Sequence, residues 1–315
     1  MNDPKRVSDS ALHGRHAAVV FETAEHFSKR LLAHFSAPGY QPPLLPAVAL
    51  EVHNLAQKAD IDAPKVVDVL QKDPVLAGRV LRIAQSAAFS PGGGITSLRD
   101  AVVRLGMRNL SDIALEVSMN VRIFRARAYA EPMEMVRRHS TVCAHLARLV
   151  STFTPIAAEY AFLCGLLHDV GMAAALIVLG EEKDTAAGMD PLMLSMILQQ
   201  SHQEASGIVA RLWRLPMDVQ LVLAHHHDVV IQGMAHPLAA IVAIAEKLTS
   251  ELGFPVVVGG ENCDLTLDSP LMQARSTLGF DQKMTERIRA EAQKLAANVE
   301  RRLGGDGSAH PEVKR

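Results

Sequence analysis

Tyr160-Ala-Phe-Leu-Cys-Gly-Leu-Leu-His-Asp-Val-Gly-Met-Ala-Ala-Ala-Leu-Ile-Val-Leu-Gly180 is an apolar run of helical length with His168-Asp169 at its centre. Without that pair it reads as a core helix and nothing more. An imidazole and a carboxylate placed there must be paired, hydrogen-bonded or metal-bound, because isolated buried charge is expensive. The run is long enough to suggest a membrane helix. Its central charged pair and the absence of flanking basic clusters argue instead for a buried helix of a soluble protein.

Composition agrees with a helical core. Among the 315 residues 49% are hydrophobic but only 4% aromatic, so Ala, Leu, Val, Ile and Met must fill the interior. Such a core favours helices over β-sandwiches. A net charge of -2 offers no global attraction to nucleic acid or an anionic membrane. Cys143, Cys164 and Cys263 form neither a CxxC pair nor an even framework. With a polar N-terminus and no short apolar segment after it, a reduced, cytoplasmic location is expected.

Outward from the central run, breaker residues divide the chain. Residues 8–36 read as an amphipathic helix with Leu12, Val19, Val20, Phe27, Leu31 and Leu32 on its apolar side. Pro38-Gly-Tyr-Gln-Pro-Pro-Leu-Leu-Pro46 marks the clearest boundary. Short helices follow, over 46–59, from Asp62 to Lys72, and from Asp73-Pro74, where a cap precedes proline. Pro91-Gly-Gly-Gly94 is a loop, Ser97 opens a helix that Gly106 ends, and 109–125 is helical again. Longer helices are expected over about 131–152, 155–179, 191–213, 217–227 and 237–252, with Thr154-Pro155 and Asp190-Pro191 as cap-plus-proline starts. Residues 253–262 read as a loop or short strand, and helices near 270–278 and 281–303 precede a tail expected to be disordered. No alternating β-α pattern is present, which disfavours a doubly wound sheet.

Hairpin spacing gives His168-Asp169 neighbours. His139 lies about 14 residues before the turn at Phe153-Thr154 and His168 about 14 after it; at ~1.5 Å per residue both sit ~21 Å from the tip. His202, the triplet His225–His227 and Glu246 fall at matching depths in the following hairpins. Five antiparallel helices thus bring His139, His168-Asp169, His202, the triplet and Glu246 to one level of a bundle. At most two of the triplet can face inward, because helical neighbours are turned ~100° apart. His145 is off the His139 face and is assigned to packing. Surface positions suit His13 and His16, and Glu246 reads equally as a ligand or a solvated edge beside Lys247.

Each histidine alone is better read as a hydrogen-bonded core residue; the levelled set reads as a metal pocket. Imidazole nitrogens with carboxylate oxygens suit Zn, Fe or Mn better than Ca. One or two ions are expected, since a carboxylate can bridge a pair.

Several blocks in one order then resemble the HDOD family, regulatory relatives of the HD-domain phosphohydrolases. They are Leu44-Leu-Pro-Ala-Val48, Lys72-Asp-Pro-Val-Leu76, Arg79-Val-Leu-Arg-Ile-Ala-Gln-Ser86, Ile95–Gly106, Arg138-His-Ser140, Phe162–Gly171 and Trp213-Arg-Leu-Pro216. The resemblance covers about residues 41–255. It implies an all-α, two-lobed multi-helix bundle of HD-domain type, with lobes near 41–128 and 129–255. Residues 1–40 are then an N-terminal helical extension, and 256–315 a C-terminal helical extension with its tail. By resemblance to the HD-GYP hydrolases, His139, His168, Asp169, His202, His226 and His227 match metal-ligand positions, with Glu246 in place of the final aspartate. Met172 replaces a lysine of catalytic relatives, Met135 replaces a glutamate, and no GYP segment follows His227.

The resemblance implies a cytoplasmic regulatory module of bacterial signal transduction, leaning away from catalysis, with a retained metal pocket. The alternative is a metal-dependent phosphohydrolase acting on a nucleotide or cyclic dinucleotide, with Asp169 as its catalytic carboxylate. Expected partners are signalling proteins or a nucleotide second messenger, with a homodimer also in view and no membrane. Arg79, Arg82, Arg99, Arg104 and Arg108 suit a solvated face better than a nucleic-acid surface, since no aromatic platform accompanies them.

Overall fold

The computed structural model describes residues 21–45, 47–56, 58, 63–86, 89, 94–182, 189–256 and 268–305. Several expectations lie outside these residues: the helix over 8–20 with His13 and His16, the Asp62 cap, most of the Gly-rich loop, 257–262, Cys263 and the tail from 306. The described residues are mostly helical, with almost no sheet, and divide into two compact units, one within residues 43–125 and one within residues 1–42 with 126–315.

In the unit spanning 43–125, α2 (Ala47–Ala56), α3 (Ala63–Gln71) and α4 (Pro74–Ala84) each pack on α5 (Leu98–Arg122). Asp73 caps α4 as expected: its Oδ1 accepts from the Val75 and Leu76 N–H groups at 3.1 Å, and Pro74 takes the first helical position. Arg122 on α5 donates to Asp73 Oδ2 at 2.7 Å. Ser97 caps α5 through the Asp100 N–H. Gly106, with φ 71 and ψ 160, interrupts α5 where the sequence reading ended a helix.

The other unit holds α1 (residues 21–36), α6 (Ala130–Ser151), α7 (Ala158–Leu167), α8 (Val170–Glu181), α9 (Pro191–Leu212), α10 (Met217–Ala224), α11 (Pro237–Glu251), α12 (Asp268–Leu278) and α13 (Gln282–Gly305). Helix α6 packs on α7, α11 and α13, while α8 and α10 both pack on α9. Leu31 and Phe35 of α1 are buried, and Ser28 Oγ donates to the α9 carbonyl of Ile197 at 3.3 Å. The described part of α1 therefore docks on its own unit. At the other end, Ile288, Ala292, Ala296 and Val299 of α13 are buried, and Arg302 approaches His145 Nε2 at 2.7 Å. His145 is thus a packing residue, as its spacing implied.

Three local readings are corrected. The helix expected over 155–179 is two helices, α7 and α8, broken at His168-Asp169. Thr154-Pro155 does not start α7. Thr154 Oγ1 donates to Ser151 O and accepts from the Ile156 N–H, closing a turn, and α7 begins at Ala158. Helix α10 ends at Ala224, so His225–His227 are not helical. A small hairpin follows, β1 (Val230–Ile231) paired antiparallel with β2 (Met234–Ala235), turning through positive φ at Gln232 and Gly233.

Residues Ala158–Glu181 have the length and hydropathy of a membrane span, yet 94% of their apolar 18-residue window is buried inside the protein. The polar pair at its centre is turned toward other side chains of the same unit.

Candidate metal centre

The break between α7 and α8 has a physical cause. Ending α7 at Leu167 frees the His168 carbonyl, and starting α8 at Val170 leaves the Gly171 N–H without an intrahelical partner. One hydroxyl on α9 serves both: Ser206 Oγ donates to His168 O at 2.7 Å and accepts from the Gly171 N–H at 2.9 Å. Close approach of α8 to α9 makes this reach feasible. A Cβ on Gly171 would lie 2.3 Å from His202 O and 2.5 Å from Ser206 N, so only glycine fits. Gly165 plays the same part between α7 and α6, where a Cβ would lie 2.9 Å from Cys143 O.

Held this way, His168 and Asp169 meet the other predicted residues. His139 Nε2 is 3.2 Å from His168 Nε2. Asp169 Oδ2 lies 3.2 Å from His168 Nε2 and 3.9 Å from His139 Nε2. Its other oxygen, Oδ1, lies 3.5 Å from His226 Nε2 and 3.8 Å from His202 Nε2. His227 Nε2 sits 3.2 Å from Glu246 Oε1. The His202, His226 and His227 rings adjoin one another. All seven candidate residues therefore converge. His225 does not join them: it is exposed, with Nδ1 3.6 Å from Asp228.

Backbone carbonyls set the tautomers. His139 Nδ1–H donates to Phe254 O at 2.6 Å and His168 Nδ1–H to Gly165 O at 2.9 Å. His202 Nδ1–H donates to Gln199 O at 2.9 Å and His226 Nδ1–H to Leu223 O at 3.1 Å. His139, His202 and His226 thus turn an Nε2 lone pair toward Asp169, the orientation that metal-ligating histidines adopt when the other nitrogen is hydrogen-bonded, while His168 Nε2–H faces the Asp169 carboxylate as a donor whose proton a bound ion would displace.

The electrostatics point the same way. Burial pushes the His139, His202 and His226 imidazoles below their ordinary value, His226 to about 4, and neighbouring imidazoles add to the effect. Burial also works downward on His168, but the Asp169 carboxylate outweighs it and lifts this ring to about 9. For Asp169 burial works upward and is outweighed by His168, His226 and His202, so the carboxyl is held well below its usual range. Glu246 resists burial in the same way through His227, down to about 2. Burial raises the Cys143 thiol well above its ordinary value, and the Glu246 and Asp169 charges raise it further.

These residues fit a divalent cation. Asp169 Oδ1, His202 Nε2 and His226 Nε2 are buried acceptors without a hydrogen-bond partner, a costly arrangement unless a cation joins them. Mixed imidazole and carboxylate ligands suit Zn, Fe or Mn. Three further groups were not singled out from the sequence. Cys143 lies four residues past His139 on α6, a spacing that marks a shared helix face. The Phe254 carbonyl and the Ser206 hydroxyl carry no local sequence signal.

Comparison with known proteins agrees with the fold. An HDOD domain protein of unknown function from Geobacter sulfurreducens superposes with a TM-score of 0.65 at 22% identity, covering 86% of this chain and 96% of that one. A Shewanella amazonensis protein, named as a proposed metal-dependent phosphohydrolase, superposes at 0.59 with 21% identity, covering 86% and 99%. A proposed signal transduction protein of Marinobacter aquaeolei superposes at 0.60 with 18% identity, covering 91% and 65%. In sequence, an uncharacterized protein of Treponema pallidum is 23% identical over 193 residues, which are 59% of this chain and 37% of that relative. This chain thus spans little more than a third of that relative's length. The HDOD domain pattern itself matches residues 43–229, more than half of the sequence. The chain belongs to the HDOD domain family.

Proposed function

We propose that the protein is a regulatory interaction module whose HD-like pocket holds one or two divalent ions without turning over a substrate. One observation carries this reading: the donor atoms converge, yet His139, His168, Asp169, His202 and His226 are each at most 3% exposed. A phosphoester cannot reach an ion held by those five side chains unless the helices part, although His227 and Glu246, with 22% and 13% of their side chains exposed, border solvent on the second side. Phosphoryl transfer also needs cations facing the transferred group. Here the strongest charged influences on Asp169 and Glu246 are histidines, and Met172 is buried apolar in α8. Within this reading His139, His168, Asp169, His202, His226, His227 and Glu246 hold the metal. Asp169 keeps its carboxylate ionised between the two groups of rings. Signalling proteins, or a nucleotide second messenger acting as ligand rather than substrate, are the proposed partners.

A metal-dependent phosphohydrolase is the second reading, favoured by the completeness of the ligand set. Bound ions in such a site activate water and clamp a phosphoryl group. The discriminating experiment is a phosphodiesterase panel of cyclic dinucleotides and nucleotides with Zn-, Fe- and Mn-loaded protein. No turnover above the Asp169→Ala background is expected. Robust turnover lost in Asp169→Ala would replace the regulatory reading with the hydrolytic one.

A further inference from the structure

We propose that Cys143 is a thiolate ligand to one of two ions in the pocket, so that the pocket is chemically asymmetric. This rests on the metal reading above and adds a ligand and a metal preference to it. Asp169 divides the donors: its Oδ2 faces His168 and His139 at 3.2 and 3.9 Å, and its Oδ1 faces His226 and His202 at 3.5 and 3.8 Å. On the first side the ligand atoms of His139, Cys143 and His168 all lie within 4.8 Å of one another. On the second side those of His202, His226 and His227 meet the same limit.

The two nitrogens of the first side already have the spacing a tetrahedral ion needs. Metal–nitrogen bonds of ~2.0–2.1 Å and a metal–sulfur bond of ~2.3 Å place two nitrogens ~3.3 Å apart and a nitrogen ~3.6 Å from the sulfur. The His139 and His168 Nε2 atoms are 3.2 Å apart. From an upper limit of 4.8 Å, the sulfur has at most about 1.2 Å to move, within reach of a small side-chain rotation. His139 and Cys143 share one face of α6, and Cys143 is fully buried, so no surface ligand competes. Asp169 completes a set of two nitrogens, one oxygen and one sulfur.

Ligation balances simply. The S–H bond breaks, the proton passes to buffer and an S–metal bond forms, with no change of oxidation state. A thiolate makes this side soft, selecting Zn or Fe(II) over Mn or Mg, whereas the three-histidine side is an ordinary imidazole–carboxylate site. A buried cysteine that merely fills space is the alternative. Cys164 on α7 illustrates it: it is buried, and the charge that acts on it is that of Asp218 rather than of the pocket carboxylates.

The test uses the full chain as the Cys164→Ser/Cys263→Ser double variant, which leaves Cys143 as the one thiol. Zinc alone is added, and X-ray absorption reads the ligand shell. The expected result is a sulfur scatterer at ~2.3 Å beside nitrogen and oxygen at ~2.0–2.2 Å. Adding Cys143→Ser should abolish that shell and reduce the zinc-over-manganese preference at least tenfold. Bound zinc with nitrogen and oxygen ligands only, in the protein that retains Cys143, overturns the thiolate assignment and leaves the metal pocket standing. Failure to bind zinc at all overturns the pocket reading itself, and the thiolate with it.

Discussion

Replacing Ser206 by alanine removes one hydroxyl and strands two backbone groups at the His168-Asp169 break. The Gly171 N–H lies in the first turn of α8, where no intrahelical acceptor exists, so losing its 2.9 Å bond leaves a buried donor unsatisfied. That costs about 1–3 kcal/mol, and the lost 2.7 Å bond to His168 O adds roughly 0.5–1.5 kcal/mol. The sum is about 1.5–4.5 kcal/mol. At ~2–4 °C per kcal/mol for a domain of 150–250 residues, Tm should fall by roughly 3–18 °C. Ser201→Ala is the matched control. It is equally buried on the same helix, but its hydroxyl donates only to Ile197 O, four residues back along α9, and its loss should stay within about 0.5 kcal/mol. Thermal and urea melts of both variants, followed by circular dichroism, make the comparison. Equal stability of the two variants would refute the view that Ser206 holds the break open.

Gly171→Ala should destabilise by about 1–3 kcal/mol or more, because its Cβ meets backbone atoms of α9 that cannot rotate away. It should also weaken metal retention by moving Asp169 from His202, read as metal content after dialysis; full retention in a destabilised variant would separate packing from site geometry. In the 43–125 unit, burial acts upward on the Asp73 carboxyl, but the Leu76 and Val75 N–H groups and the Arg122 guanidinium outweigh it and hold it below its usual value. Its folded value lies below an unfolded value of ~3.9, so its stabilisation is present at neutral pH and is lost as pH falls through the folded value. Asp73→Ala should therefore cost ~1 kcal/mol at pH 7, with the gap to the native protein narrowing below about pH 4; a gap independent of pH would contradict this cap. Zinc at 100 times its Kd should stabilise the native chain by ~2.7 kcal/mol and Asp169→Ala by almost nothing, as read by calorimetry.

What could be read from sequence and what could not divide along physical lines. Asp73-Pro74 and Asp190-Pro191 were legible because a cap and a proline act on the next turn alone. The site residues share a level because hairpin spacing survives small errors in helix ends. The break at His168-Asp169 was not legible, since it depends on a hydroxyl 38 residues from His168. Thr154-Pro155 misled because Thr154 finds turn partners nearer than a helix end. For the triplet, helical geometry, which in fact ends at Ala224, limits the inward rings to two but does not pick them; His226 and His227 are singled out by the family resemblance. Cys143 has i, i+4 spacing to His139, but a buried cysteine is ordinary in an apolar helix, so the spacing alone does not mark it as a ligand.

On this reading the donor atoms converging on Asp169 exist to hold metal. Elemental analysis of the purified full chain, before and after incubation with Zn, Fe(II) or Mn and exhaustive dialysis, tests it most directly. One to two ions per chain are expected in the native protein and almost none in Asp169→Ala, which lacks the carboxylate facing both groups of histidines. Less than a tenth of an ion per chain in the native protein after loading, or equal retention by Asp169→Ala, would contradict it.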